Sequence, residues 1–459
     1  MMLNTRDRDD FLASTVIKLL KRNAVPNLRR IIAKTHSADI AHWFPHLRPD
    51  EKPALFNLLV KEKRMSEVLG ELHSEERNLF FQSSEPTVLV EVLKDMPPDD
   101  VSDTLADLPL EQRDALLRLI KGSATHAVEQ ILQYDEKTAG YIMNPHFFAL
   151  PQDITASAAV ERIREMADLE MVFYVYVVDE ENRLKGVLSL RQLVTTRPNT
   201  LLKDLMTTRV YTVHTTTLQE EVARVVARYN LLAVPVVDED NKLVGIVTVD
   251  DVVDVIREEN TEDMLKMAGT GDVDIGSKSI LKNTRARLPW LFASWISGIA
   301  AGQVIGLFQV QLEQLAVLAV FIPIIAGMGG NVGLQSATIV VRGLATGEVN
   351  LNEVWQILRR EAVTGITLGC IYGLLLGLFA RFRYWNLTSA SANLLWFPLV
   401  VALSIRLNMT LAATVGTVMP MLFKRLRIDP AIATGPFVTA SLDVIGNLSY
   451  FLIAGVFLF

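Results

Sequence analysis

Apolar residues recur at spacings of three and four through the first part of the chain, as in Val16, Ile17, Leu19 and Leu20 and again in Leu28, Ile31 and Ile32. That period lines them along one face of a helix. Polar turns interrupt the pattern, often with proline: Arg48-Pro49-Asp50, Met96-Pro97-Pro98-Asp99 and Leu108-Pro109. Each segment is about as long as one member of a stacked helix pair, so residues 1–135 are expected to form a helical, superhelical N domain.

From residue 136 the period changes. VFYVYVVDEENRLKGVLSLRQLV and LLAVPVVDEDNKLVGIVTVDDVVDVI are β-branched, strand-like runs, each preceded and followed by a helical stretch. The acidic turns Asp179-Glu180-Glu181-Asn182 and Asp238-Glu239-Asp240-Asn241 stand at matching places, as do Gly186 and Gly245. Two copies of one α+β unit are therefore expected, over 136–200 and 201–258. The repeat resembles a tandem pair of CBS domains, modules that sense small ligands and regulate the protein they are attached to. CBS pairs can hold a nucleotide through a Thr or Ser and an Asp three residues apart. The second copy offers Thr248 and Asp251, whereas the first has Ser189 with Gln192 in the acidic place. ATP at the CBS pair, through Thr248, is a possible cofactor on that resemblance.

Residues 259–287 read as a connecting helix, a glycine-containing break and a basic approach to a membrane. The helix is dense in acid around its start: Asp254, Glu258, Glu259, Glu262 and Asp263. Spacings of three and four put several on one face, where a solvated surface and a bound divalent ion are both reasonable. Beyond Leu288 come five apolar stretches, each long enough to cross a bilayer as a helix. The fold expected is multidomain: helical N domain, CBS pair, connecting helix, and a membrane bundle of five spans over 288–459.

Charge sharpens this picture. The total is −7, but it divides into about −10 before Leu288 and about +3 after it. An acidic soluble part argues against nucleic acid as a partner. Mean hydropathy is +0.27, high for a soluble protein. Lys278, Lys282, Arg285 and Arg287 precede the first span. Arg342, Arg359 and Arg360 lie between the second and third, and Lys424, Arg425 and Arg427 between the fourth and fifth. Positive ends stay inside. An inner-membrane protein with a cytoplasmic N-terminus and an external C-terminus is expected, with Arg381 and Arg383 the one discordant pair. The charged start of the chain has no signal-peptide apolar core. The single cysteine, Cys370, lies in an apolar segment and reads as a packing residue.

The candidate chemistry lies in the spans. Asp443 falls within the fifth, and a carboxylate in a bilayer costs at least about 3 kcal/mol unless compensated. An ion pair with Arg406 of the fourth span would compensate it, and so would a cation in a pore. Gly435, Pro436, Thr439, Ser441 and Gly446 surround it with small or polar residues. The second span holds Pro323, Gly327, Gly329, Gly330 and Gly333 with Asn331, Gln335 and Ser336, a pattern that suits a water-lined path or close helix packing. Carbonyl oxygens and a carboxylate suit Mg²⁺, which keeps most of its water. No nucleophile–base set, Walker loop or HExxH occurs, and His36, His42 and His46 are loosely spaced, so an enzyme is not expected.

The whole order, with GGNVGLQSAT and VRGLATGE in the second span, DPAIATGPFVTASLDVIG in the fifth and YDEKTAGYIMN before the first CBS copy, resembles the MgtE family of magnesium channels. The resemblance implies a homodimer in the lipid bilayer, with Mg²⁺ both transported and regulatory. It implies Asp443 as the central pore ligand. Gly327, Gly330 and Asn331 line the pore, and Asp429 and Gly435 flank its cytoplasmic side. Members of the family can have Asn at the Gly435 position. The matching regulatory acids are Glu67, Asp99, Asp103, Glu220, Asp251, Asp254, Glu259, Glu262 and Asp263. Asn230 stands where the pattern can carry Asp, which weakens or removes one regulatory site. Cytosolic Mg²⁺ would bridge these acids and close the channel. The rival is a CBS-regulated secondary carrier for an osmolyte or anion, which Arg406 keeps open and Asp443 opposes.

Overall fold

The computed structural model describes residues 5–106, 108–120, 123–165, 173–270, 280–349, 351–388 and 393–459. Lys278 and the linker at 271–279 lie outside the described residues, as do the first four residues. The chain divides into two compact units, Met1–Arg257 and Glu258–Phe459.

In the first unit, short helices run from Thr5–Lys21 to Ser123–Ile131. Several begin with proline in the first turn, where its missing N–H costs nothing: Val25–Ile32, Lys52–Lys61 and Pro86–Lys94. Their apolar faces meet in one core around Trp43, Phe44, Phe56 and Phe80. Phe44 and Phe56 stack at 4.8 Å, and Phe80 tilts onto Phe56 at 5.2 Å. The Lys52–Glu76 pair, 2.8 Å apart, is buried beside them.

The CBS pair builds two three-stranded sheets of the same topology. These are β1 (Ala149–Pro151), β2 (Tyr174–Val178) and β3 (Leu184–Ser189), then β4 (Val213–His214), β5 (Ala233–Val237) and β6 (Leu243–Thr248). In each, the first strand pairs parallel and the second pair is antiparallel, with an irregularity at the same place. The acidic turns work alike. Asp179 and Asp238 each accept two backbone N–H bonds, and Asn182 and Asn241 take left-handed φ of 64° and 60°. The matched glycines have a shared cause. A Cβ on Gly186 would lie 2.5 Å from Met206 Sδ, and one on Gly245 would lie 2.6 Å from Met143 Sδ. Met143 leads into the first copy and Met206 into the second, so each copy's leader packs against the other's glycine. The bridges Asn144–Ile246 and Val187–Thr207 repeat the exchange in backbone.

One helix, α1 (Val249–Met267), leaves the second sheet without a break. It runs through the expected boundary at 258, where the chain also divides into its two units.

The second unit holds five helices long and apolar enough to cross a membrane. They contain α2 (Ile280–Leu307), α3 (Leu318–Thr346), α4 (Val354–Arg383), α5 (Phe397–Arg425) and α6 (Pro436–Leu458). Glu361, Gly365, Gly369, Gly373 and Gly377 recur every fourth residue of α4 and are buried. They let α5 come into backbone contact: a Cβ on Gly369 would lie 2.7 Å from Arg406 Cα, and one on Gly373 2.7 Å from the Ala402 carbonyl. Close backbone approach replaces the hydrophobic drive that helices lack in lipid. Gly369→Leu is expected to lower the thermal midpoint in detergent, at a cost of about 1–3 kcal/mol or more, because the neighbour is backbone and cannot rotate away. The exposed substitution Leu374→Ala on the same helix should leave the midpoint nearly unchanged.

Candidate functional site

Asp443 sits on α6, half-buried, with Thr439 and Asn447 one turn to either side. Among the described residues no hydrogen bond or ion pair reaches its carboxylate. Arg406 is exposed, and its backbone packs on Gly369 of α4. The Arg406–Asp443 pair raised by the sequence is therefore not formed. α3, which packs against α6 through Gly330 and Gly333, carries a strip of exposed positions: Gly327, Asn331, Gln335, Thr338 and Arg342. Gly330 is buried, and a Cβ there would lie 3.5 Å from Thr439 Cγ2, which ties the strip to the Asp443 helix. Gly327 has open space before it. A single chain thus presents a polar face that carries an uncompensated carboxylate, and lipid is a poor solvent for such a face.

Beneath that face lie polar groups that composition does not single out. Asn408 of α5 is fully buried and donates to the Ile325 carbonyl at 2.5 Å, packed where Gly329 and Gly446 leave room. Asn408 Oδ1 and Asn447 Oδ1 are buried without a hydrogen-bond partner. Glu361 of α4 is buried and accepts from Ser336 of α3 at 2.9 Å. Its sequence signal is the acid that breaks the basic run Arg359-Arg360 at the head of the third span.

The end of α1 meets the start of α6. Lys266 Nζ donates to Asp429 Oδ2 at 2.6 Å and also contacts Glu262 one turn earlier. These two carboxylates raise the Lys266 pKa against the lowering by burial. Asp429 Oδ1 caps the short 3₁₀ turn Pro430–Ala433 through the Ala431 N–H. A Cβ on Gly435 would lie 2.7 Å from the Met267 carbonyl, so glycine is what allows the two elements to touch. Arg342 of α3 donates to Asn260 at 2.9 Å. Glu259 and Asp263 lie on the same helix.

In the first unit the acids of the helix Pro98–Ala106 face those of α1. Burial pushes Asp99 well above the usual carboxylate range, and the charges of Asp251 and Asp100 push it further. Asp99 Oδ1 is buried with no partner. Burial also pushes Asp251 up to about 7, against the lowering by its bond from Thr248 Oγ1 at 2.5 Å. Asp254, more exposed, is raised by burial and by Asp250 and Asp103, with Arg257 opposing. Crowded, partly dehydrated carboxylates with a spare acceptor suit a divalent cation. Among the described residues, no three of His, Cys, Asp and Glu are close enough to form a ready-made metal cage.

Three other expected ligands already have arginine partners. Glu67 accepts from Ser37 at 2.7 Å and from Arg64 at 2.9 Å. Asp103 pairs with Arg77 at 3.2 Å, and Glu220 with Arg224 at 3.3 Å along its own helix. Asn230 ends the helix Gln219–Tyr229 with φ 50°, a left-handed cap that asparagine tolerates well. Thr248 is buried and bonded to Asp251. Ser189 and Gln192 form a capping box. A cleft of about 280 Å³ between the CBS copies is lined by Arg183, Lys185, Thr208, Thr212 and Asn241, and does not include Thr248.

Comparison with known proteins defines the class first. Residues 322–453 match the family of divalent cation transporters called MgtE. Residues 35–137 match the MgtE intracellular N domain, and 139–198 and 202–258 match CBS domains. The magnesium transporter MgtE of Bacillus subtilis (strain 168) is 34% identical over 451 residues, 98% of each chain. That of Thermus thermophilus is 34% identical over 97% of this chain and 98% of its own. A solved structure of the cytosolic domain of the Mg²⁺ channel MgtE in complex with ATP is 35% identical. It covers 53% of this chain and 99% of its own, with a TM-score of 0.50. The chain belongs to the MgtE family of magnesium transporters.

Proposed function

We propose that this chain is a homodimeric Mg²⁺ channel of the inner membrane, closed by cytosolic Mg²⁺ bound among the acids of the N domain, CBS pair and connecting helix. The observation that carries the transport reading is Asp443, an unpaired carboxylate on an open polar face of the membrane unit. A second copy placed against that face would turn two half-paths into one and shield both carboxylates from lipid. The open glycines Gly298, Gly302 and Gly306 of α2 give a further surface where a helix of the partner can approach closely. The basic inner ends of the spans support a cytoplasmic N-terminus and an external C-terminus.

The gate follows from the first unit's charge. With cytosolic Mg²⁺ scarce, Asp99, Asp100 and Asp103 repel Asp250, Asp251 and Asp254, and the N domain parts from the CBS pair. With Mg²⁺ plentiful, the cation compensates both sets and the parts pack. The ion's differential affinity for the packed form shifts the population. ATP at the CBS pair is a secondary part of this reading, supported by the ATP-bound relative; Arg183 and Lys185 at the cleft would have to leave Asp179 and Glu181 to bind it. Regulation by Glu67 and Glu220 would require them to exchange their present arginine partners for the ion.

Protons should mimic the metal. A carboxyl whose pKa is raised on packing stabilises the packed form fully below its ordinary value, and loses that contribution as pH rises through the raised value. For Asp251 the window runs from about 4 to about 7. Without Mg²⁺, the N domain should therefore dock on the CBS pair at pH 5 and loosen by pH 8. Limited proteolysis of the full-length, detergent-solubilised chain at the two pH values reads this directly. Added Mg²⁺ should abolish the difference.

Vesicles holding the purified chain and an Mg²⁺-sensitive dye test the transport reading. Mg²⁺ outside should raise the signal, while radiolabelled choline should not accumulate. Choline or anion uptake without Mg²⁺ flux would establish the carrier alternative instead.

A further inference from the structure

The junction between α1 and α6 is held by a cation of the chain's own. Lys266 Nζ lies against Glu262 and 2.6 Å from Asp429 Oδ2, all three side chains being largely withdrawn from solvent. The backbone reinforces the contact, since Gly435 admits the Met267 carbonyl and Gly269 comes up to Pro436. Arg342–Asn260 fixes the same helix to α3. Glu262 and Asp429 are two of the carboxylates that the family resemblance makes metal ligands. Here an ammonium stands between them.

We propose that Lys266 is a positioning residue of the gate, a tethered counter-ion that holds the connecting helix on the mouth of the membrane unit without metal. The inference rests on the Mg²⁺-gated channel reading and deepens it. Two carboxylates brought together without a cation repel, and a fixed ammonium cancels that repulsion at every Mg²⁺ concentration. It also lowers what a divalent ion gains by binding there. Part of the docking energy is thereby supplied without metal, and Mg²⁺ bound among the acids completes the closure. A neutral side chain at 266 would hand the junction to the metal: open without it, closed with it.

The test is cross-linking in the full-length protein, with Cys370 replaced by alanine. Cysteines at N260C and R342C, joined by a short bismaleimide, report whether the helix is docked. With Lys266 present, a measurable fraction of the protein should cross-link in EDTA, and Mg²⁺ should raise it. K266M should lower it at least about fivefold, Mg²⁺ should restore it, and K266R should behave as the parent. Flux through K266M at low cytoplasmic Mg²⁺ should rise by a similar factor. Undiminished cross-linking of K266M in EDTA would overturn the proposal. So would a loss that Mg²⁺ does not restore, because Lys266 would then be a packing residue and not a counter-ion. If cross-linking follows the proposal while parental flux ignores cytoplasmic Mg²⁺, the latch stands and the gating reading fails.

Discussion

Asp443→Ala abolishes Mg²⁺ flux and leaves the protein at least as stable as before. The two halves of this expectation come from one observation. No side chain among the described residues compensates Asp443, so its removal breaks no hydrogen bond or ion pair among them. It relieves the cost of a carboxylate in a membrane segment, and the thermal midpoint in detergent should hold or rise. The hydrated ion, in contrast, loses its only carboxylate on the α3–α6 face. A charge-assisted contact worth up to about 3 kcal/mol corresponds to about a hundredfold in affinity, and flux should fall at least that far. Asp443→Asn should lose nearly as much, because hydration of the site survives but its charge does not. Flux within twofold of the parent would make Asp443 structural.

The second large effect concerns closure. Asp251→Asn with Asp254→Asn should leave the channel open at cytoplasmic Mg²⁺ that shuts the parent, moving the half-inhibiting concentration up by roughly 5–150-fold. Asparagine suits Asp251 because it still accepts the Thr248 bonds that cap α1, so the helix start survives while the charge goes. Neutralisation also removes repulsion, which favours packing in the absence of metal. The lost bridge outweighs this because Asp99, Asp100 and Asp103 keep their charge or their burial penalty, and of the acids named opposite them only Asp250 remains to share a cation. Flux at low Mg²⁺ should change little. Unaltered closure at high Mg²⁺ would remove these acids from the gate.

Much of this architecture is open to reading because it repeats or persists. Two matching strand blocks with Gly186 and Gly245 in register announce the CBS pair, and the fold supplies the cause in the exchanged methionines. Five apolar stretches announce five helices, since a span needs only local hydropathy. What escapes is set by contacts distant in sequence. Lys266 looks like an ordinary basic residue after an acidic helix, and its partner Asp429 is 163 positions away. Asn408 and Asn447 carry no charge to draw attention, and the burial of Asn408 depends on glycines of neighbouring helices. Glu361 is masked by two adjacent arginines. Arg406 suggests itself as a partner for Asp443 because both lie in spans; helix rotation, fixed by the glycines of α4, turns α5 so that they do not meet.

The central claim is that Mg²⁺ on the cytoplasmic side closes a path through which Mg²⁺ itself passes. The most direct measurement is Mg²⁺ current or dye-reported flux through the reconstituted full-length chain while cytoplasmic free Mg²⁺ is stepped from micromolar to millimolar, with the driving gradient held constant. The account predicts robust flux at the low step and reversible suppression at the high one. Flux that follows the gradient alone, with no suppression at the high step, would contradict it.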